Sequence, residues 1–74
     1  MRLDMDSKAT EKTAGNLKRI RLEKGLSQAD LADKAGINSN YYSKIERSDL
    51  KPSIDVLGKI AKALKVKSSD IFPF

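Results

Sequence analysis

Apolar residues recur at helical spacing along most of the chain. The clearest stripe lies near the carboxyl end, where the apolar positions follow an i, i+3, i+6, i+7, i+10 series made of Ile54, Leu57, Ile60, Ala61 and Leu64. This spacing predicts an amphipathic helix with one buried face. A weaker helical pattern begins at about Lys12 and ends at Gly25, where a left-handed cap can close the helix. Since no stretch alternates apolar and polar residues as a strand does, the pattern predicts an all-α protein.

Two short helices are predicted between these two stripes. Ser27 and Asp30 form a Ser-x-x-Asp sequence, a near relative of the capping box, so helix two starts directly after Ser27. Gly36 stands where a left-handed C-cap is wanted and ends helix two. Asn38 is a preferred N-cap, so helix three follows it and ends near Arg47.

The ends of the chain complete a compact domain of five helices. Ser53 caps helix four, and residues 68–72 form one short last helix before Pro73. Three apolar residues near this end close the core or reach a partner: Val66, Ile71 and Phe72. Residues 1–11 are polar, small and unpatterned, so we expect a flexible N-terminal arm, with an extension of the first helix as the alternative, followed by a single domain over residues 12–74.

Length and composition narrow the function classes. A chain of 74 residues buries only about 60% of its unfolded surface, which leaves little room for a catalytic cleft. Cysteine and histidine are both absent from the sequence, which removes thiol nucleophiles, disulfides and the usual zinc ligands. Asp30 and Asp33 are carboxylates at i, i+3, but they lie on a solvated helix face. We therefore expect no enzyme activity, no metal or other cofactor and no small-molecule ligand.

The charge distribution favours a polyanionic partner. Residues 1–11 carry two basic and three acidic side chains, so residues 12–74 hold thirteen basic against seven acidic ones, a net charge of +6. The folded part is thus the basic part, which suits nucleic acid, although many small basic proteins bind nothing in particular. No apolar run approaches the roughly 18 residues of a membrane span, and the first residues lack the apolar core of a signal peptide. We expect a cytoplasmic protein without a membrane partner.

Helices two and three, joined by a tight turn at Gly36, form a helix-turn-helix in physical terms. The stretch "LSQADLADKAGINSNYYSKIERSDLKPSIDVLGKIAKAL" resembles the Cro/C1-type (XRE) family of helix-turn-helix proteins. The resemblance runs from about Leu17 to Phe72. Its motifs are Leu-Ser-Gln before helix two, Leu-Ala within it, the glycine turn, Lys-Ile-Glu-Arg at the end of helix three, and Pro-Ser before helix four.

The resemblance implies a lambda-repressor-like domain that places helix three in the major groove of double-stranded DNA. It also implies a sequence-specific transcriptional regulator, a repressor or an activator, that binds a two-fold symmetric operator as a homodimer. In size the chain is most similar to stand-alone regulators such as restriction-modification controller proteins.

Helix three carries the candidate base-reading residues. On a wheel of about 100° per residue its inward side holds Tyr42, Ile45 and Glu46, and its outward side holds polar residues. One N-cap needs only Asn38, so the cap does not explain the short polar side chains that follow it. Asn pairs with adenine, Lys with guanine and Ser with either. The candidates are Ser39, Asn40 and Lys44, with Ser43 a weaker fourth.

The remaining candidates position the domain or hold it together. Phosphate contacts are expected from polar or basic residues near the predicted groove: Gln28, Lys18, Tyr41, Arg47 and Lys51. The alternative to a phosphate contact is, for each residue, an ordinary solvated side chain, or for Tyr41 an exposed or half-buried ring. The resemblance also implies a buried structural ion pair between Arg21 and Glu46. The family usually has glycine after Glu-Arg, then often a base, whereas this chain has Ser48-Asp49. A left-handed cap at Ser48 is then strained, and Asp49 repels phosphate.

Two questions about partners stay open at this point. Candidate dimer surfaces are the outward side of helix four and the tail, with Val56, Ile71, Phe72 and Phe74 as their apolar residues. The alternative function is a protein-interaction module, such as an antitoxin or a coactivator-like domain, that uses the same fold to hold another protein. That alternative predicts salt-insensitive protein binding and weak, unspecific DNA binding.

Overall fold

The computed structural model describes residues 2–72, with side chains from Lys8 onward. Its five helices are α1 (Arg2–Glu23), α2 (Gln28–Ala35), α3 (Ser39–Glu46), α4 (Ile54–Leu64) and α5 (Ser68–Ile71). Turns connect the helices, and within residues 2–72 there is no strand. The predicted all-α, five-helix class is therefore confirmed. No helix in this range combines the length and the apolar character needed to cross a membrane.

Helix α1 begins ten residues earlier than the apolar pattern predicts. It is helical from Arg2, so residues 2–11 extend the first helix, which was the alternative to a flexible arm. Neither glycine nor proline occurs between Arg2 and Ala14, so the backbone meets no helix breaker there. Thr13 and Ala14 are buried, at 1% and 4% exposure, so packing also extends upstream of Leu17. An apolar stripe alone does not locate the start of a helix whose first turns are polar.

The predicted N-caps all close their helices with side-chain hydrogen bonds: Ser27, Asn38 and Ser53. At α2 the capping box is reciprocal. The Asp30 backbone N–H donates to Ser27 Oγ at 2.9 Å, and the Ser27 backbone N–H donates to Asp30 Oδ2 at 3.1 Å. Each bond satisfies a donor that a helix start leaves without an intrahelical partner. Local side chains thus decide where α2 begins.

Left-handed residues end four of the helices. Gly25 and Gly36 each have φ of 71°, as the sequence predicts for the ends of α1 and α2. Ser48 after α3 and Lys65 after α4 adopt the same region with φ of 66° and 60°. A left-handed residue with a side chain costs about 1–2 kcal/mol. At Ser48 the cap is nonetheless closed, because the Asp49 backbone N–H donates to the Lys44 carbonyl at 2.9 Å.

The core lies where α1 packs on α3 and α5, and α2 packs on α3 and α4. Leu17, Leu31 and Ile60 are each 0% exposed. The α4 stripe is buried as predicted except at its first member, since Ile54 is 84% exposed. Helical side chains lean toward the N-terminus, so the first residue of α4 projects past the end of the core. The helix-turn-helix is therefore held from both sides, by α1 and by α4.

Ile71 belongs to the core and not to an outer surface. Its side chain is 0% exposed, and the amide nitrogen Nδ2 of Asn16 donates to its carbonyl at 2.8 Å. The sequence-based assignment of Ile71 to a dimer surface is therefore wrong, because α5 folds back on α1. Phe72 is half-buried against the core. Phe74, also assigned to that surface, lies outside the described residues.

Candidate nucleic-acid interface

Helix α3 has a buried side and an exposed polar side. Tyr42 and Ile45 are 0% and 1% exposed and fasten the helix to the core. Asn38 caps its start, because Asn38 Oδ1 accepts from the backbone N–H groups of Asn40 and Tyr41 at 2.8 and 3.2 Å. The Asn38 side chain alone caps the helix, so capping does not explain the polar side chains that follow it.

Three of the predicted base-reading residues are exposed on α3: Ser39 at its start, and Asn40 and Lys44 beyond it. Asn40 and Lys44 are four residues apart, so their side chains are neighbours on the helix surface. Together they offer amide, hydroxyl and ammonium groups to a groove. Chemically, this surface can form hydrogen bonds with the edges of bases.

The fourth predicted base-reading residue, Ser43, has an internal partner. It is half-buried, and its hydroxyl donates to Gln28 Oε1 on α2 at 2.8 Å. Gln28 in turn donates from Nε2 to Glu46 Oε1 at 3.1 Å. Ser43 is therefore part of the α2–α3 contact as well as of the polar side of α3.

The ion pair expected between Arg21 and Glu46 is present and buried. Arg21 Nε donates to Glu46 Oε2 at 2.9 Å, and Arg21 Nη2 donates to Oε1 at 2.7 Å, a bidentate geometry. The two side chains are 9% and 3% exposed. A third bond runs from Arg21 Nη1 to the Leu26 carbonyl at 2.8 Å, at the start of the turn into α2. One guanidinium thus ties α1 to α3 and to the turn before α2.

Glu46 accepts from two further side chains, the hydroxyl of Tyr42 and the amide of Gln28. Burial alone would raise the pKa of this carboxyl. The hydrogen bonds from Arg21, Tyr42 and Gln28 outweigh burial and hold the pKa below its usual value. The same bond to Arg21 raises the pKa of the guanidinium, and burial raises that of the Tyr42 hydroxyl. The carboxylate therefore stays charged with all its acceptor positions in use.

The predicted phosphate contacts differ in how available they are. Lys18 and Lys51 are exposed, whereas Gln28 and Tyr41 are half-buried. Arg47 is exposed, but its Nε donates to Asp49 Oδ2 at 3.1 Å. Both partners of this ion pair are more than half exposed, at 59% and 58%. The guanidinium of Arg47 thus already has an acidic partner on the neighbouring loop.

The network through Gln28 is the feature that sequence reasoning missed. Ser43 and Glu46 are three residues apart, so both face the same neighbouring element. That spacing was the available signal, but which α2 side chain meets them depends on the angle between the helices.

Among the described residues, no group of three or more acidic side chains is placed to hold a metal ion.

The chain is similar to known transcriptional regulators and restriction-modification controller proteins. The HTH-type transcriptional regulator SinR of Bacillus subtilis is 45% identical over 51 residues, 68% of this chain and 46% of SinR. Control protein C.BamHI of Bacillus amyloliquefaciens is 39% identical over 59 residues, 78% of this chain and 73% of that protein. The crystal structure of the restriction-modification controller protein C.AhdI from Aeromonas hydrophila matches with a TM-score of 0.83 and 32% identity, covering 85% of this chain and 96% of that chain.

Several curated relatives are longer than the matched part. The chain spans 34% to 46% of their length, so the match concerns one domain of those proteins. The family model described as helix-turn-helix (HTH_3) matches residues 17–71, which is most of the chain. The segment it covers includes α2, α3 and the complete Arg21–Glu46 pair. The chain therefore belongs to the helix-turn-helix (HTH_3) family, as its motifs predicted.

Proposed function

We propose that the protein is a sequence-specific double-stranded DNA-binding regulator of transcription that inserts α3 into the major groove. The observation that carries this proposal is that Ser39, Asn40 and Lys44 are exposed polar residues on a helix fastened by a buried ion pair. A rigid support matters because a base contact fails when its donor is misplaced by even an ångström. Membership of the helix-turn-helix family, which includes the regulators SinR and C.BamHI, supports the same function.

Base recognition falls to the exposed side chains of α3. Asn40 can bond bidentately to adenine through its amide, and Lys44 can donate to the O6 and N7 atoms of guanine. A good bidentate pair is worth about 1–3 kcal/mol of discrimination against the wrong base. Ser39, next to the cap, completes the first turn of the helix that enters the groove. Ser43 joins this group as a hydrogen-bond acceptor, because its hydroxyl proton is donated to Gln28.

Phosphate contacts would position the domain without reading sequence. The residues proposed for them are Gln28, Lys18, Tyr41, Arg47 and Lys51. The Gln28 amide nitrogen carries two hydrogens, and its bond to Glu46 uses one of them, so the other can donate to a phosphate. Affinity should fall with salt, with a log–log slope of about −0.9 for each phosphate neutralised.

The proposal includes a homodimer on an operator with two-fold symmetry. Two copies of α3 would enter successive major grooves about 34 Å apart. Val56 and Phe72 are half-buried and remain candidates for the dimer surface, together with Phe74. Ile71 is excluded from this surface because its side chain is buried in the core of the same protein chain. Binding near a promoter, in the cytoplasm, would then block or recruit polymerase according to where the operator lies.

Alanine variants test the assignment by separating sequence discrimination from general affinity. Asn40→Ala and Lys44→Ala should each reduce the ratio of operator affinity to random-DNA affinity by about 5- to 150-fold. Lys51→Ala should weaken binding to all sequences alike and make the salt slope shallower by about 0.9. Lys34→Ala is the matched control, since Lys34 lies at the opposite end of α2 from Gln28.

Fluorescence anisotropy with labelled duplexes at several salt concentrations measures these quantities. If Asn40→Ala and Lys44→Ala fold normally and keep the full affinity ratio, α3 does not read the bases. A chain that binds all DNA weakly, but binds a protein in a salt-insensitive manner, would instead identify an interaction module.

A further inference from the structure

A directional chain of hydrogen bonds joins the buried ion pair to the polar side of α3. It runs from Arg21 to Glu46, where Nη2 and Oε1 are 2.7 Å apart, and from Gln28 Nε2 to the same Oε1 at 3.1 Å. It ends where Ser43 Oγ donates to Gln28 Oε1 at 2.8 Å. This series of hydrogen bonds therefore runs from α1 to α3, then to α2, and returns to α3.

The chemistry of the ion pair decides which group donates in every hydrogen bond of this series. A guanidinium only donates and an ionised carboxylate only accepts. The Gln28 amide must therefore turn its NH₂ group to Glu46, since the opposite orientation would place the amide oxygen against a carboxylate oxygen. Its Oε1 then faces Ser43 and can only accept. The single hydroxyl proton of Ser43 is thus committed to Gln28.

A serine whose proton is committed has only lone pairs left to offer. An isolated serine either donates to a base or accepts from one, and so discriminates poorly. Ser43 is half-buried rather than buried, and it lies three residues from Asn40 and next to Lys44 on α3. Part of this residue is therefore accessible on the helix that carries Asn40 and Lys44.

We propose that Ser43 acts as an obligatory hydrogen-bond acceptor toward DNA and that Gln28 is the positioning residue that makes it one. This inference rests on the proposed function, because it names the base class read at one position of the same surface. On the strand that Ser43 faces, it selects adenine or cytosine, whose N6 and N4 amino groups donate. It rejects guanine and thymine, whose O6 and O4 atoms would meet its lone pairs. One position in each half-site should therefore accept A or C equally.

The test is a position-by-position affinity measurement on the operator selected by the unaltered protein, with all four bases at each position. The unaltered protein should prefer A or C over G or T by roughly 3- to 10-fold at one position of each half-site, the gain from a single hydrogen bond. Ser43→Ala should abolish this preference and leave the other positions unchanged. Gln28→Ala should abolish it at the same position, although Ser43 is still present, because the freed hydroxyl can then donate as well as accept.

Two controls keep the readout specific. Ser69→Ala removes an exposed hydroxyl from α5, outside the proposed interface, and should leave the A-or-C position unchanged. Gln28→Met keeps the side-chain volume and serves if Gln28→Ala proves unstable by circular dichroism. A uniform loss of affinity in the Gln28 variants, with the preference intact, would show that Gln28 only contacts phosphate and would overturn the inference.

Other outcomes are equally decisive. A preference for G or T at the position that Ser43→Ala affects would contradict an acceptor at Ser43. If Ser43→Ala changes no position while the unaltered protein selects a defined sequence, the inference fails and the proposed function stands. If the unaltered protein selects no sequence at all, both the proposed function and this inference are wrong.

Discussion

Removing the Arg21 guanidinium from α1 should strongly destabilise the domain, because this group holds α3 through Glu46. Arg21→Ala deletes two bonds to Glu46 and one to the Leu26 carbonyl, and it leaves the carboxylate charged in a site where its side chain is 3% exposed. Breaking a buried pair in this way costs about 3–5 kcal/mol. A 74-residue domain has a total stability of roughly 4–11 kcal/mol at 0.05–0.15 kcal/mol per residue. The variant should therefore lose a large share of its stability, and at the low end of this range most of it.

Urea denaturation followed by circular dichroism at the helical band measures this loss. Arg19→Ala is the matched control, since Arg19 lies on the same helix and pairs with Glu23 at 3.4 Å, but with both side chains more than half exposed. An exposed i, i+4 pair contributes about 0.3–0.5 kcal/mol, so the control should barely move the unfolding midpoint. The comparison separates burial of the pair from the mere presence of opposite charges.

The double variant Arg21→Ala/Glu46→Ala makes the test stricter. Because the second substitution removes the stranded charge, the combined loss should be smaller than the sum of the two single losses by at least about 1 kcal/mol. Strict additivity, or an Arg21→Ala cost no larger than that of Arg19→Ala, would refute the structural role of the pair.

Four further outcomes follow from local geometry. Ser48→Gly should stabilise the domain by about 1 kcal/mol in urea, because glycine adopts φ of 66° without a side-chain penalty; destabilisation would contradict the strain. Burial alone would raise the pKa of Glu46, but the hydrogen bonds it accepts, led by the one from Arg21, keep this pKa below the ordinary value of 4.5. The stability that the ionised Glu46 contributes is therefore complete above pH 4.5 and is lost as the pH falls through the lowered pKa. An acid titration of the free energy of unfolding measures this loss. Ile71→Ala should cost about 2–5 kcal/mol in the same urea assay, whatever the protein concentration. Ile54→Ser should change stability by less than about 0.5 kcal/mol, and a larger loss would mean that Ile54 is covered by a partner copy.

The sequence was sufficient wherever structure is decided by neighbouring residues. The caps at Ser27 and Asn38 and the left-handed turn at Gly36 follow from side chains within one helical turn. The strained cap at Ser48 was predictable for the same reason, since the chain has no glycine at that point. Such features depend on the stereochemistry of a few residues and need no knowledge of tertiary packing.

Features that depend on how helices meet were harder to predict. The burial of Ile71 depends on α5 folding back on α1, and the exposure of Ile54 depends on where α4 leaves the core. The start of α1 at Arg2 was missed because its polar first turns carry no apolar stripe. The Gln28–Ser43 bond joins residues 15 positions apart on two helices, so its existence depends on the interhelical angle. The Arg21–Glu46 pair was predicted only through the family resemblance, for the same reason.

The central claim is that α3 reads a DNA sequence, and selection of bound sites from random double-stranded DNA tests it most directly. The unaltered protein should enrich one sequence with two-fold symmetry and half-sites about 34 Å apart, and an Asn40→Ala/Lys44→Ala variant should lose that enrichment while keeping its helical content. Recovery of random sequences by the folded, unaltered protein, or enrichment that the double variant retains in full, would contradict the claim.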